Sequence, residues 1–313
     1  MKIINSLSEI NNTENFPTPI GLVIGNFDGI HLGHRSLIQR VKEQCLHHQL
    51  KLVLMTFNPH PQKILNPSKE NFLISSYEQR RETFNKLGVD FLLEIPFTRD
   101  FSTLSAEDFL DQYIFLYPRL HTFYLGYDFA FGANKHAGHD LVKKICDKRG
   151  IAVEVQPKFS FENTVVSSSL IRESLIKGNL SLANKLLGRS FELEGVVVKG
   201  EGRGKKIGFP TANIHALPDL IIPQIGVYIT RTHYSGMTYE SITNVGHNPT
   251  FKSDSSLNIE TNIFDFNVDI YGEKIKVEFL EKIRDEKKFA TVNDLISQIK
   301  TDVDYTKNYF KKL

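Results

Sequence analysis

Two rhythms of apolar and polar positions run along this chain, and one gives way to the other near Gly188. Before that point, continuous apolar runs at 20–24, 51–57, 89–95, 121–125 and 151–155 alternate with stretches of helical spacing. Runs this short and this apolar predict strands buried on both faces. The spacing predicts helices over 33–49, 77–86 and 140–148, with Gly88 and Gly150 placed to end two of them. Ser105, followed by Glu107 and Asp108, reads as a further helix start. Strands separated by helices predict an α/β domain on a mostly parallel sheet, covered on both faces.

Two short helical pieces follow Ser167, with Leu175, Leu182, Leu186 and Leu187 as apolar positions, and end at Gly188. The pattern then changes to short alternating runs at 193–198, 226–231, 241–245, 259–264 and 274–279, rich in turn residues and without a helical stretch. That texture predicts an antiparallel barrel or sandwich. A last helix opens at Thr291, with Val292, Leu295, Ile296, Ile299 and Val303 on the face expected to pack on the barrel. The expected domains are 1–187 and 188–313.

A length of 313 residues, 41% hydrophobic and 24% charged, suits two globular domains of ordinary size. A net charge of +2 gives no case for nucleic-acid or membrane-surface binding. Cys45 and Cys146 lie in helical patterns and form no CxxC pair, as expected of free thiols in a reducing compartment. With no apolar leader and no run of membrane-spanning length, the expectation is a cytoplasmic protein.

The richest stretch is Gly25-Asn26-Phe27-Asp28-Gly29-Ile30-His31-Leu32-Gly33-His34, where the 20–24 strand turns into a helix. Unpaired N–H groups and the positive dipole end of a helix start suit phosphate. A glycine between the histidines lets a ligand approach the backbone. The pattern points to nucleotide phosphates rather than zinc, whose helical histidines stand four apart; a chance strand–turn–helix is the plain alternative. Tyr127-Asp128-Phe129 follows a later strand, and Ser167-Ser168, with Arg172 one turn on, opens the next helix. Ligands of open α/β sheets bind beyond the carboxyl ends of strands, so these segments are expected to converge on one crevice. Ser167, Ser168 and Arg172 fit either a phosphate site or an ordinary serine cap with a solvated arginine.

In the second half, Gly200, Gly202, Gly204 and Gly208 make a loop suited to lying over phosphates. Gly204-Lys205 is followed by Lys206 instead of Ser or Thr, so this is no Walker loop, and Pro210 forbids the helix of a dinucleotide fingerprint. A mobile hairpin with solvated lysines is the alternative. Glu260, on an alternating strand, is either an acid at the barrel mouth or an exposed strand residue.

With these motifs in order, the chain resembles the prokaryotic bifunctional riboflavin kinase/FAD synthetases over nearly its whole length. Gly25-Asn26-Phe27-Asp28-Gly29, His31-x-Gly33-His34, Thr56-Phe57-Asn58-Pro59-His60-Pro61 and Ser167-Ser168-x-x-x-Arg172 carry the likeness in the first half. Gly208-Phe209-Pro210-Thr211-Ala212-Asn213, Asn248-Pro249-Thr250-Phe251, Arg284 and Phe289 carry it in the second. The resemblance implies a Rossmann-like nucleotidyltransferase domain of the HxGH type, then an antiparallel β-barrel kinase domain with a C-terminal helix. It implies ATP-dependent conversion of riboflavin to FMN, then of FMN and a second ATP to FAD and pyrophosphate, both with Mg2+.

By the same resemblance His31, His34 and Arg172 are catalytic in the first domain, with Gly25, Phe27, Asp128, Ser167 and Ser168 on ATP. Glu260 is the catalytic acid–base group of the kinase. Gly204, Lys205, Gly208, Thr211 and Asn213 hold its ATP, the last two with magnesium. Phe57, Pro59, Phe129 and Arg284 contact flavin. The partners implied are riboflavin, FMN and ATP, with no nucleic acid or membrane, in a monomer or weak homo-oligomer. Asn58, Lys135, Lys205 and Asn262 depart from the residues usual in that family, and Lys for Arg keeps charge but loses the planar fork. Other HxGH nucleotidyltransferases leave the Pro210–Asn213 half unexplained, and a decayed flavin sensor would not need intact histidines and Glu260.

Overall fold

The computed structural model describes residues 1–4, 9, 18–117, 119–127, 129, 138–200, 202–247 and 257–312. Asp128, Lys135 and the motif Asn248-Pro249-Thr250-Phe251 lie outside the described residues. By packing, the chain divides into Met1–Glu70 with Tyr77–Ser167, and Asn71–Ser76 with Ser168–Leu313.

The first unit is built on six strands: β1 (Lys2–Ile4), β2 (Ile20–Ile24), β3 (Lys51–Phe57), β4 (Phe91–Ile95), β5 (Leu120–Gly126) and β6 (Ala152–Gln156). Their order is β1-β4-β3-β2-β5-β6, with every pairing parallel. The strands are apolar throughout because each feeds two cores. Leu22, Ile24, Val53, Met55 and Phe57 enter one cluster, while Val23, Leu52, Leu54 and Leu92 enter another. That is the period-2 alternation of a sheet covered on both faces. Helix α1 (Leu32–His47) covers the second face through Ile38, Val41 and Cys45, joined there by Phe84 of α2 (Tyr77–Lys86). On the other face, α3 (His139–Asp147) contributes Val142 and Cys146. Burial pushes the Cys45 thiol up to about 12 and the Cys146 thiol up to about 11, so both pack as neutral groups.

A small hairpin, β7 (Ser160–Phe161) with β8 (Thr164–Val165), precedes the second unit. That unit starts with α4 (Ser168–Ile176) and α5 (Leu180–Leu187), which ends on Gly188 in the left-handed region (φ 67°). The pattern-based boundary at 187/188 therefore differs from the packing boundary at Ser167/Ser168. Leu180, Ala183, Leu186 and Leu187 are buried. Asn184 donates to the Phe279 carbonyl (3.0 Å) and accepts from the Phe191 N–H (2.8 Å), tying α5 to the first and last strands of the barrel. The strap Asn71–Ser76 belongs here as well. Leu73 forms a parallel bridge with Leu220, and Arg189 reaches the Ser75 hydroxyl at 3.0 Å.

The rest is a closed antiparallel barrel of β9 (Phe191–Val198), β10 (Ala212–Ala216), β11 (Gly226–Tyr234), β12 (Met237–His247), β13 (Leu257–Ile263) and β14 (Lys274–Arg284). A single helical turn, α6 (Arg203–Lys206), precedes β10, in a stretch where the alternating pattern suggested neither helix nor strand. Thr230, Thr232, Ser241, Thr243 and Thr261 are fully buried in the barrel and satisfy one another in a chain of hydroxyl bonds of 2.8–2.9 Å.

Helix α7 (Val292–Phe310) opens with a capping box formed by Thr291 and Asp294. Val303 packs with Val227, Ile242 and Phe264. The expected apolar face is only partly used: Val292 is exposed, and the fully buried positions of the helix are Asp302 and Thr306.

Candidate active sites

In the first unit β3, β2 and β5 are adjacent and parallel, so their carboxyl ends open on one edge. From β2 the chain builds β3 and β4 to one side, then β5 and β6 to the other. The gap where the order reverses is where such sheets take ligands. The turn after β2 stands at that gap. Its last residue, His31, caps α1: Nδ1 accepts the His34 N–H at 3.2 Å. The two imidazoles stack, with centroids 3.6 Å apart and planes 14° from parallel. Gly33 gives the ring room, since a Cβ there would lie 3.2 Å from the imidazole of His31 and would require it to shift by a few tenths of an ångström. The first turn of α1 carries no acid, as suits a helix start that receives an anion.

The turn itself is tightly held. Phe27 (φ 49°), Gly29 (φ 79°) and Ile30 (φ 40°) are left-handed. The Phe27 ring is buried, edge-on to His34 at 5.2 Å and to Phe84 at 5.8 Å, so it supports a histidine from beneath instead of facing solvent. Phe57 is likewise a core residue, between Phe97 and Phe101 at 5.5 Å each. Pro59, after a cis Asn58–Pro59 bond, and Phe129 are half-buried at the same edge of the sheet. Ser167 closes this unit, while Ser168 and Arg172 belong to α4 of the other. There the Nε of Arg172 donates to the Phe72 carbonyl of the strap at 2.7 Å.

At the barrel mouth three neighbouring strands bring Asn213, Glu260 and Asn244 into line: Asn213 and Asn244 both pair with Glu260. Glu260 accepts from the Thr211 hydroxyl (3.3 Å) and from the Asn258 amide (2.6 Å). These groups line a cavity of about 600 Å³ together with Lys199, Arg203 and Glu286. The glycine loop folds back on itself, with the Phe209 N–H donating to the Gly204 carbonyl at 2.8 Å. A Cβ at Gly204 would strike the Phe209 carbonyl, so the loop needs glycine there. Gly204 lines the cavity, whereas Lys205 and Gly208 do not; Lys199 and Arg203 are the cations at its wall. Asn262 donates to the Pro210 carbonyl at 2.5 Å, holding the Pro210–Asn213 segment against β13.

Arg284 is committed elsewhere. Its Nε and Nη2 fork the Asp302 carboxylate at 2.9 and 2.7 Å, and Nη1 donates to the Asp285 carbonyl. The pair is largely buried and pins α7 to β14. Arg203 lies within the glycine loop that the sequence marked and Asn244 within the motif Asn244-Val245-Gly246, whereas Lys199, Asn258 and Glu286 carried no signal, since single polar residues at strand ends and in loops have no distinguishing period.

A parallel α/β unit with a phosphate-type turn at its switch point, joined to a closed barrel with a carboxylate among hydroxyl and amide groups at its mouth, defines a two-site nucleotide-using transferase. Residues 13–170 match the FAD synthetase family and residues 187–310 the riboflavin kinase family. The chain belongs to the bifunctional riboflavin kinase/FMN adenylyltransferases, with the FAD synthetase part first. It is a transferase of flavin-cofactor synthesis that uses ATP and yields FMN and FAD.

Proteins named bifunctional riboflavin kinase/FMN adenylyltransferase from Listeria monocytogenes and Bacillus subtilis are each 36% identical to it over 295 residues, covering 93% of both chains. The Escherichia coli K12 protein of that name is 32% identical over 290 residues, 92% of each chain. A crystal structure of a Streptococcus pneumoniae chain, described as a macrolide-efflux protein, matches with TM-score 0.87 and 34% identity over 98% of this chain and 99% of that one. Among the described residues no helix is long and apolar enough to cross a membrane.

Proposed function

We propose that the barrel phosphorylates riboflavin through Glu260 and that the α/β unit adenylylates the resulting FMN through His31 and His34. The observation that carries this reading is the alignment of Asn213, Glu260 and Asn244 across three strands, with the Thr211 hydroxyl bonded to Glu260. In the kinase step, Glu260 takes the proton of the ribityl 5′-hydroxyl as its oxygen attacks the γ-phosphorus of ATP, and ADP leaves. Thr211 and Asn213 offer oxygen donors of the kind Mg2+ takes, the remaining ligands coming from the substrate phosphates. When bound, Mg2+ supplies charge neutralisation on those phosphates. Gly204 and Arg203 face the nucleotide, with Lys205 and Gly208 shaping the loop around them.

In the second step the FMN phosphate is already ionised and needs no strong base. Its oxygen attacks the α-phosphorus of ATP, and the bond to pyrophosphate breaks. His31 and His34, at the start of α1, stabilise the developing charge. Gly25 and the backbone at Phe27 let the nucleotide come close. Asp128 contacts the ribose or adenine side, and Ser167, Ser168 and Arg172 receive pyrophosphate. Pro59 and Phe129 meet the flavin, with Phe57 behind them, and Arg284 orders the riboflavin side of the barrel while held by Asp302. Catalytically the modules are 1–187 and 188–313. The two free, buried cysteines fit a cytoplasmic enzyme, acting as a monomer or weak homo-oligomer without nucleic acid.

Chromatography of a reaction with riboflavin, ATP and Mg2+ tests the assignment. The protein is expected to make FMN, then FAD. Glu260→Gln is expected to lose FMN formation by about a hundredfold or more yet convert supplied FMN to FAD. His31→Ala is expected to stop at FMN. Loss of both steps in either variant would sink the two-site assignment.

A further inference from the structure

Arg80 is 1% exposed and among the largest fully buried side chains of the molecule. Its Nη1 donates to the Asn26 carbonyl at 2.8 Å, and its guanidinium lies 4.4 Å over the Tyr77 ring. Among the described residues its Nε and Nη2 find no hydrogen-bond partner. Burial draws its pKa down, and Asp28 opposes that shift. A guanidinium buried with two donors unmatched is costly, and an apolar side chain of similar volume would fill the place without that cost. The one bond it does make is therefore the place to look.

The Asn26 carbonyl takes a second donor, the fully buried Thr56 hydroxyl at 3.2 Å. Two donors on one oxygen fix the peptide that leads into the turn. Immediately after it come Phe27 and Ile30, non-glycine residues in the left-handed region, a conformation that persists only where the surroundings over-determine it. Phe27 then meets His34 edge-on at 5.2 Å. Four residues beyond Arg80, on the same face of α2, Phe84 backs Phe27 at 5.8 Å. One helix thus grips the turn at two points, the Asn26 carbonyl and the Phe27 ring.

We propose that Arg80 is a positioning residue for FAD synthesis: it locks the strained turn so that Phe27 holds His34, and with it the stacked His31, in line for the nucleotide phosphates. This rests on the adenylyltransferase reading of the two histidines. Arg80 touches no substrate and acts through the turn. A misplacement of about 1 Å at such a site is enough to cost about a hundredfold in rate.

The test uses the full chain and measures kcat and KM for FAD formation from FMN and ATP, with riboflavin phosphorylation as the internal control. Arg80→Met is expected to lower kcat for FAD formation at least about tenfold, with KM for ATP within about threefold and the kinase step unchanged. Arg80→Lys, able to donate one bond, is expected to recover part of the loss. In a Phe27→Leu background, Arg80→Met is expected to add less than about twofold, because Arg80 acts through that ring. Thr56→Val removes the other donor with little change of shape and is expected to lower the same kcat several-fold.

Full FAD-forming kcat in Arg80→Met overturns the proposal, as does an undiminished effect in the Phe27→Leu background. If the Arg80 variants lose both activities together, Thr56→Val decides, and unchanged FAD synthesis there overturns it. FAD synthesis left intact by His31→Ala alone would instead refute the reading of the histidines themselves.

Discussion

Gly33 leaves room for the His31 ring to fold back over the first turn of α1, where its Nδ1 meets the His34 N–H. Alanine at this position favours the helix by about 1 kcal/mol but sets a Cβ against the imidazole. Gly33→Ala is therefore expected to unfold at equal or higher urea concentration while FAD formation falls about tenfold, so that stability and kcat move apart. Equal loss of both would show that the residue serves packing only. At this scale the sequence was readable where chemistry has a spacing. The two histidines announce themselves, and the structure places Glu260 beside Thr211, in register with Asn213. Arg80 was invisible, because one arginine in the polar, strongly charged sequence of α2 looks solvated. Phe27 and Phe57 lie in apolar surroundings that periodicity cannot distinguish from an open aromatic face.

Among elements, α7 depends on its first turn. The Thr291 hydroxyl accepts the Asp294 N–H at 3.1 Å, and the Asp294 carboxylate accepts the Thr291 N–H at 3.2 Å. Thr291→Ala is expected to destabilise the barrel unit by about 1 kcal/mol, read as a lower urea midpoint followed through riboflavin phosphorylation. An unchanged midpoint would mean that the helix end frays without consequence. Elements with continuous apolar runs, such as β2 and β3, have the bounds their sequence predicts. β10 was hidden by the glycines and the proline just ahead of it. The interior hydroxyl chain was hidden for another reason: threonine suits a strand on either face, and only register shows that Thr230, Thr243 and Thr261 meet inside.

For the whole molecule, the change of rhythm near Gly188 marks a change of strand pattern, whereas packing places α4 and α5 with the barrel. The buried leucines of α5 and the two bonds of Asn184 say which division matters for stability. A fragment of residues 168–313 is expected to withstand more urea than one of residues 188–313, which loses those contacts and exposes the apolar surface they cover. Equal midpoints would show that α4 and α5 are only a connector.

The strap at Asn71–Ser76 imposes an order on biosynthesis. Leu73 leaves the ribosome long before Leu220, the residue it bridges, has been made. When the strap is made its bridging partner does not yet exist, so the native burial of Phe72, Leu73 and Ile74 cannot be complete until the barrel has been translated. The strap's contacts with the barrel can therefore form only late in synthesis, once Leu220 has been added.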